Sequence, residues 1–374
     1  MKTIDKTHQG ASGRAHGVTR RHVLAGAAAL GASAVAAPFI RPARAAEPLK
    51  VGTYGGYFEE SFVKHVYPEF TKATGIEVQS IAEPTGSTWL VQLENAARAG
   101  IAPADVSMMA GVPRLRGASA KLWAPLDTAK IPNLANVSSG FIEKYDDGST
   151  YGVGAVSWYI TLCSNTKTFP DAPASWADMW AADKKDTLGL LALPQNSFLL
   201  EITATTYFGG PDILKTQEGI EKVLAKLAEV KPNVRLWYKD EGTFQQALQD
   251  GEIPMGQYYH DVTGLAAADG FPVRSTFPKE GGVVDSGFWV VSKASKMLDQ
   301  AQTFIDYTSS PAVQATLARK VGTAPVVARK HLDLSDDEFA AVASDIPPIV
   351  PQYDIYLKWG DWISEKWTAM ITAG

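Results

Sequence analysis

From Leu49 to Met109 the chain alternates short apolar runs with segments of helical period, and this rhythm restricts the folds open to it. Leu49-Lys50-Val51-Gly52-Thr53-Tyr54 reads as a buried strand, broken by Gly55-Gly56. Phe58 to Lys72 follows as an amphipathic helix, with Phe58, Phe62, Val66 and Phe70 four residues apart on one face. Thr74-Gly75 ends it, Ile76 to Ile81 alternates as a strand, Thr88 to Ala99 is helical, and Asp105 to Met109 is a third strand. Parallel strands need crossover connections, so a β-α-β-α-β succession predicts an α/β fold on a mainly parallel sheet. Further helices are expected at Trp176 to Ala182, Leu199 to Tyr207, Gly219 to Glu229, Ala301 to Ser309 and Pro311 to Lys320. The tail from Tyr353 to Ala369 carries Trp359, Trp362, Ile363 and Trp367 on one face and is assigned to core packing. A chain of 374 residues suffices for about two domains. No linker or repeat separates them, so they are expected to interleave through several crossings. In open sheets of this kind ligands bind beyond the carboxyl ends of the strands.

The first 45 residues read as an address. Arg20-Arg21 precedes an uncharged run rich in Ala and Gly that ends at Ile40, and Ala43-Arg44-Ala45 is a small-x-small cleavage site. The paired arginines give the signal a twin-arginine character and place the mature chain in the periplasm. A single membrane anchor is the plainer alternative, but the run is poor in strongly apolar residues. Cleavage after Ala45 removes seven basic residues and one acidic residue, which takes the formal charge from −5 to −11. Such acidity argues against a nucleic-acid partner and favours encounters with cations. Cys163 is the only cysteine, so neither an intramolecular disulfide nor a cysteine metal cluster can form.

Catalytic frameworks are missing. The chain has no P-loop, no H-E-x-x-H and no G-x-S-x-G, and beyond residue 45 only His65, His260 and His331. Gly152-Val153-Gly154 lacks the third glycine of a dinucleotide fingerprint, and Asp285-Ser286 adjacent in sequence is not a triad. Other segments point to binding. Thr53-Tyr54-Gly55-Gly56-Tyr57 closes the first strand, where glycines let a ligand approach backbone amides. Tyr258-Tyr259-His260-Asp261 follows a strand-like run, and adjacent strand residues face opposite ways, so one tyrosine can line a cleft. Asp285 sits between Val283-Val284 and Phe288-Trp289-Val290-Val291, and a carboxylate so placed needs a partner: a structural lysine or arginine, or a bound ammonium.

Several fragments, in this order and spacing, resemble a known family. They are Thr53 to Tyr57, Phe70 to Val78, Pro103-Ala104-Asp105-Val106, Pro173 to Trp180, Leu248 to Glu252, Pro278 to Gly282 and Gly322-Thr323-Ala324-Pro325. The mature chain resembles the periplasmic solute-binding proteins of ABC importers, in the branch for polyamines, 4-aminobutyrate and related amines. The resemblance implies a two-lobed α/β periplasmic-binding-protein fold that closes on its ligand like a hinged clamp. Hinge crossovers fall near Ser157 to Ser164 and Gly287 to Ser292. The lobes take residues 46–158, then 159–288, with 289–374 returning to lobe 1 and packing across both. The implied ligand set is Tyr54, Gly55, Tyr57, Ser87, Trp158, Tyr258, Tyr259 and Asp285, with no metal and no cofactor. Aromatic faces would hold a methylene chain and Asp285 an ammonium. The second acidic pair of polyamine binders is absent from Asn196-Ser197-Phe198-Leu199, although Glu201 is near; Val283 stands where a tryptophan is usual, and Thr323 at a late cleft tyrosine. A single anchor favours a monoamine or ω-amino acid over spermidine. Gly55, Gly56 and Ser87 are the candidates for a ligand carboxylate. The expected partners are a small cationic or zwitterionic amine and an inner-membrane permease, with the protein acting as a monomer and not as an enzyme. Two rivals remain on the residues: ferric iron on the phenolates of Tyr258 and Tyr259, and a secreted hydrolase using Ser286 or His260.

Overall fold

The computed structural model describes residues 47–55, 57–84 and 88–372, leaving out the side chain of Tyr57. The expected export segment, Gly56 and Ser87 lie outside the described residues. Ten strands are present: β1 (Leu49–Tyr54), β2 (Val78–Glu83), β3 (Val106–Ala110), β4 (Ile142–Lys144), β5 (Thr150–Asn165), β6 (Leu188–Leu191), β7 (Val234–Tyr238), β8 (Met255–Tyr259), β9 (Val273–Thr276) and β10 (Val283–Val291). They join in the order β2-β1-β3-β10-β5-β8-β6-β7, with β4 and β9 both on β5. β1 is parallel to β2 and β3, and β6 to β7 and β8. β10 and β5 are antiparallel to each other and to their outer neighbours β3 and β8. Two parallel halves are thus joined by one antiparallel pair. Phe62, Phe70 and Phe304 cover Val51, Val106 and Trp289 in the first half. Leu199, Ile202, Ile363 and Trp367 cover Leu188 and Leu190 in the second.

The expected helix from Phe58 to Lys72 is two helices, Tyr57–His65 and Tyr67–Thr74, parted at Val66 (φ −114°). Pro68 explains the break: it has no N–H to donate, and its ring opposes the carbonyl four residues back. Phe62 and Phe70 still reach one core, so the apolar period survives the interruption. The segment at Trp176 is a short 3-10 turn, Trp176–Trp180, closed by a capping box between Ser175 and Asp178. The tail helix Tyr353–Thr372 kinks at Trp359 (φ −133°).

The joint is narrow. Val283 to Ser286 of β10 pair with Ile160 to Ser157 of β5, whereas β3 meets β10 only from Gly287 onward and β8 meets β5 only from Ile160 onward. A two-stranded ribbon therefore links the halves, and the register slips between Gly287 and Phe288. The second crossing lies a few residues upstream of the expected Gly287 to Ser292, because those residues are already committed to pairing with β3. A strap beside the tail reinforces the ribbon: Ile349 exchanges backbone hydrogen bonds with Gly282 and Val284 at 2.9 and 3.0 Å.

Two features set the shape around the joint. In the second half, Gly189 and Gly256 are paired across β6 and β8. A Cβ on Gly189 would overlap the Phe244 ring, and one on Gly256 the Gly189 carbonyl. The bare sheet lets Phe244 stack flat on Tyr238 at 4.7 Å, and so draws the helix Glu241–Asp250 onto the sheet. In the first half, Glu83 ends β2 opposite Tyr54. Its carboxyl is buried, accepts the Met108 amide at 3.1 Å, and is pushed up to about 8 by burial.

Gly189→Ala should lower stability by about 1–3 kcal/mol through overpacking, read from urea unfolding, while Gly140→Ala, where nothing lies within 4 Å of the added carbon, should change it by less than about 0.5 kcal/mol. Glu83 supports a second expectation. The folded chain holds a proton that the unfolded chain releases, so the contribution of this group is full at low pH and is lost as pH rises from about 4.5 toward 8. Glu83→Gln should match the parent at pH 5 and gain about 2–4 kcal/mol relative to it at pH 8.5. An identical stability difference at both pH values would show that the carboxyl titrates normally.

Candidate functional site

The ribbon itself carries two of the expected residues. Trp158 of β5 lies directly opposite Asp285 of β10, and opposed residues of an antiparallel pair project from the same face. Tyr54, at the carboxyl end of β1, meets Trp158 edge-on at 6.3 Å, and Phe58 closes the group at 6.0 Å from Tyr54 and 6.4 Å from Trp158. The Tyr54 hydroxyl is buried, with no hydrogen-bond partner among the described residues. Gly55 is exposed beside it. Tyr259 ends β8 in the other half, paired with Ile160. Asp285 is near enough to both Tyr54 and Tyr259 for its negative charge to help raise each phenol, after burial itself. Tyr54, Trp158, Tyr259 and Asp285 are thus brought together. Ser87 and the Tyr57 side chain are outside the described residues.

Asp285 does have a partner, and it is neither lysine nor arginine. The Tyr353 hydroxyl donates to its Oδ1 at 2.5 Å, and the Ser286 amide donates to the same oxygen at 2.7 Å. Among the described residues Oδ2 accepts no hydrogen bond. The side chain keeps some solvent contact but is ringed by protein, and burial raises its carboxyl, opposed by Tyr353, Ser286 and the positive charge of Arg114. Arg114 is itself held elsewhere, with Nη2 at 3.0 Å from Glu143 and its guanidinium 3.9 Å over the Phe288 ring. Tyr353 opens the tail helix. The reading of that tail as core packing holds for Ile363 and Trp367, which are buried, and for Tyr353, Trp359 and Trp362, which pack against the same core; Tyr353 in addition turns its hydroxyl onto Asp285.

The adjacent tyrosines divide as strand geometry requires. Tyr258 is buried against Phe244, with its hydroxyl donating to the Glu241 carbonyl and to Gln245, each at 3.2 Å. The Tyr259 hydroxyl donates to Glu241 Oε1 at 2.7 Å. Ile160, Leu191, Asn196, Tyr238, Glu241, Gln257, Tyr258 and Tyr259 line one small cavity. Glu241 escaped sequence reasoning, since it lies far along the chain from the acidic positions sought at 196–199. The only available cue was Asp240 as an N-cap, which puts the next residue at a helix start beside the sheet. Glu201 is fully buried, bound to the Gln352 amide and to Tyr356, and pushed up to about 7 by burial. Thr323 is buried beside the Ser157–Ala324 bridge. His260 contacts Ser275 and the Ala340 carbonyl through its two ring nitrogens, at 2.8 and 3.2 Å, so it is not poised on Ser286.

The sequence pattern of bacterial extracellular solute-binding proteins matches residues 66–342. Spermidine/putrescine-binding periplasmic protein 1 of Haemophilus influenzae is 27% identical over 309 residues, 79% of this chain and 79% of that one. The gamma-aminobutyric acid-binding protein of Pseudomonas aeruginosa is 24% identical over 285 residues, 75% of this chain and 77% of that one. Among solved structures, an ABC transporter substrate-binding protein from Bradyrhizobium japonicum superposes with a TM-score of 0.73 at 22% identity, covering 87% of this chain and 99% of that one. These similarities bear out the two-lobed fold and favour a solute-binding protein over the iron-binding and hydrolase readings. Among the described residues no helix is long and apolar enough to cross a membrane. With the family pattern running from the first helices to beyond both crossings, the chain belongs to the bacterial extracellular solute-binding proteins.

Proposed function

We propose that this chain is the exported capture subunit of an ABC importer, taking a small amine or ω-amino acid and passing it unchanged to an inner-membrane permease. The observation that carries the reading is Asp285: a carboxylate on the ribbon joining two lobes, opposite Trp158, with both of its hydrogen bonds from described residues on Oδ1. An ammonium supplies the charge this enclosed acid lacks, and the rings of Tyr54 and Trp158 offer faces for an apolar stem and for the cation itself. Relatives that bind spermidine, putrescine and gamma-aminobutyric acid support the same class. Glu241 widens it. The preference for a single ammonium rested on a missing second acid, and Glu241 on the Tyr259 hydroxyl provides a carboxylate in the second half of the sheet. A diamine would span from Asp285 toward Glu241; an ω-amino acid would turn its carboxylate to the backbone amides near Gly55 and to Ser87. The lobes would divide as 46–158 with 289–374 against 159–288, and ligand would favour the closed state because only that state makes contacts from both sides. Export with cleavage after Ala45, residence in the periplasm and action as a monomer complete the proposal.

Thermal-shift and calorimetric titration with putrescine, spermidine, 4-aminobutyrate and Fe(III) tests it, since a ligand stabilises by mass action. At least one amine should stabilise the protein. Asp285→Asn should weaken its binding about tenfold to a hundredfold, the scale of a charged hydrogen bond. Glu241→Gln should weaken putrescine more than 4-aminobutyrate. Unaltered amine affinity in Asp285→Asn, or stabilisation by Fe(III) alone with a visible phenolate band, would overturn the reading.

A further inference from the structure

The tail contributes more than packing. Tyr353 lies 68 residues beyond Asp285 in sequence, yet its hydroxyl is on Oδ1. Two contacts hold its ring, and a third fixes the backbone beside it. It meets Phe198 of the second half edge-on at 6.2 Å. It lies against Gly111 of the helix Gly111–Ser119 in the first half, where a Cβ would come within 3.1 Å of the ring. Just before it, the Gln352 amide donates to Glu201 at 3.0 Å. The side chain is therefore clamped from both halves and cannot swing freely away from the ribbon.

We propose that Tyr353 is a positioning residue for ligand capture: with the Ser286 amide it occupies Oδ1 of Asp285, fixes the plane of the carboxylate, and leaves Oδ2 to the ligand's ammonium. The inference rests on the reading in which Asp285 holds that ammonium. A free carboxylate in an enclosed site would rotate, or would take a proton and lose its charge. A phenol that donates to one oxygen prevents both, because it stabilises the ionised form and holds it in one orientation. The groups facing Asp285 are Tyr54 from β1, Tyr259 from β8, Arg114 from the helix Gly111–Ser119 and Tyr353 from the tail. Behind them Glu83 faces Tyr54, Glu241 faces Tyr259 and Glu201 faces Tyr353. Arg114 favours the charged form of Asp285 too, but its ion pair with Glu143 divides its charge. Tyr353 is the side chain that bonds Asp285 directly.

Tyr353→Phe keeps the ring and its packing while deleting the donor, so thermal unfolding should show a folded protein. Binding of putrescine and of 4-aminobutyrate is measured from pH 5.5 to 8.5 in parent and variant. The variant should lose about three- to tenfold more affinity at pH 6 than at pH 8, its acid limb displaced upward, because Asp285 now takes a proton more readily. A ligand-free measurement stands beside it: carboxyl-carbon NMR of aspartate-labelled protein, with the Asp285 signal identified by its loss in Asp285→Asn. That signal should titrate at higher pH in Tyr353→Phe. Coincident carboxyl titrations, a pH-independent change in affinity, or tighter binding in the variant would overturn the assignment of Tyr353. Failure of both amines to bind the parent protein would instead sink the ammonium reading, and the role of Tyr353 toward that cation with it.

Discussion

The antiparallel ladder between β5 and β10 is the interaction on which the rest depends. Each half of the sheet is an ordinary parallel α/β layer, satisfied within itself. Among the described strands only those of the ladder run from one half to the other, and at its middle it is two strands wide, with the strap at Ile349 alongside. A ribbon so thin bends more easily than the layers it connects, and the slipped register at Gly287 and Phe288 adds local twist. The same few residues then serve two ends. They bear the hinge, and they bear Trp158 and Asp285 on a common face, so that any rotation of the lobes changes what surrounds the acid.

Electrostatics in the cleft follow from burial. Glu83 and Glu201 are enclosed by protein and pushed up to about 8 and 7, so near neutrality much of their charge is suppressed by a proton. Asp285 meets the same penalty and, like Glu201, takes an amide and a phenol donor against it, with a guanidinium nearby in addition. What sets the carboxyl at the ribbon apart from Glu83 and Glu201 is its partial solvent contact and the nearby positive charge of Arg114.

Much of this was legible in the residues. The β-α-β-α-β rhythm from Leu49 to Met109 specified the first half because its periods are set by local sterics and by burial of one face, both written in neighbouring residues. Tyr54, Tyr259 and Asp285 were recoverable because each ends or interrupts a strand-like run. Pro68 could have been read as the break between helices, and the longer apolar period hid it. Contacts of high sequence separation were not legible at all. Glu241 reaches Tyr259 because a glycine pair on β6 and β8 admits the Phe244 ring, a steric fact with no local signature. Tyr353 reaches Asp285 across 68 residues of sequence, just beyond a strap whose Ile349 pairs with Val284, and nothing in the tryptophan-rich pattern of the tail announces that its first hydroxyl finds an acid.

Gly111 opens its helix at φ 53° with the Tyr353 ring against it. Any side chain there would be strained by the backbone and would shove the phenol aside. A position that belongs to neither crossing strand thus helps to hold the phenol that donates to Asp285. Attempts to retune such a receptor by redrawing the walls of its cavity would leave this remote determinant in force. The placing of the phenol on Asp285 depends in part on an atom that is not there.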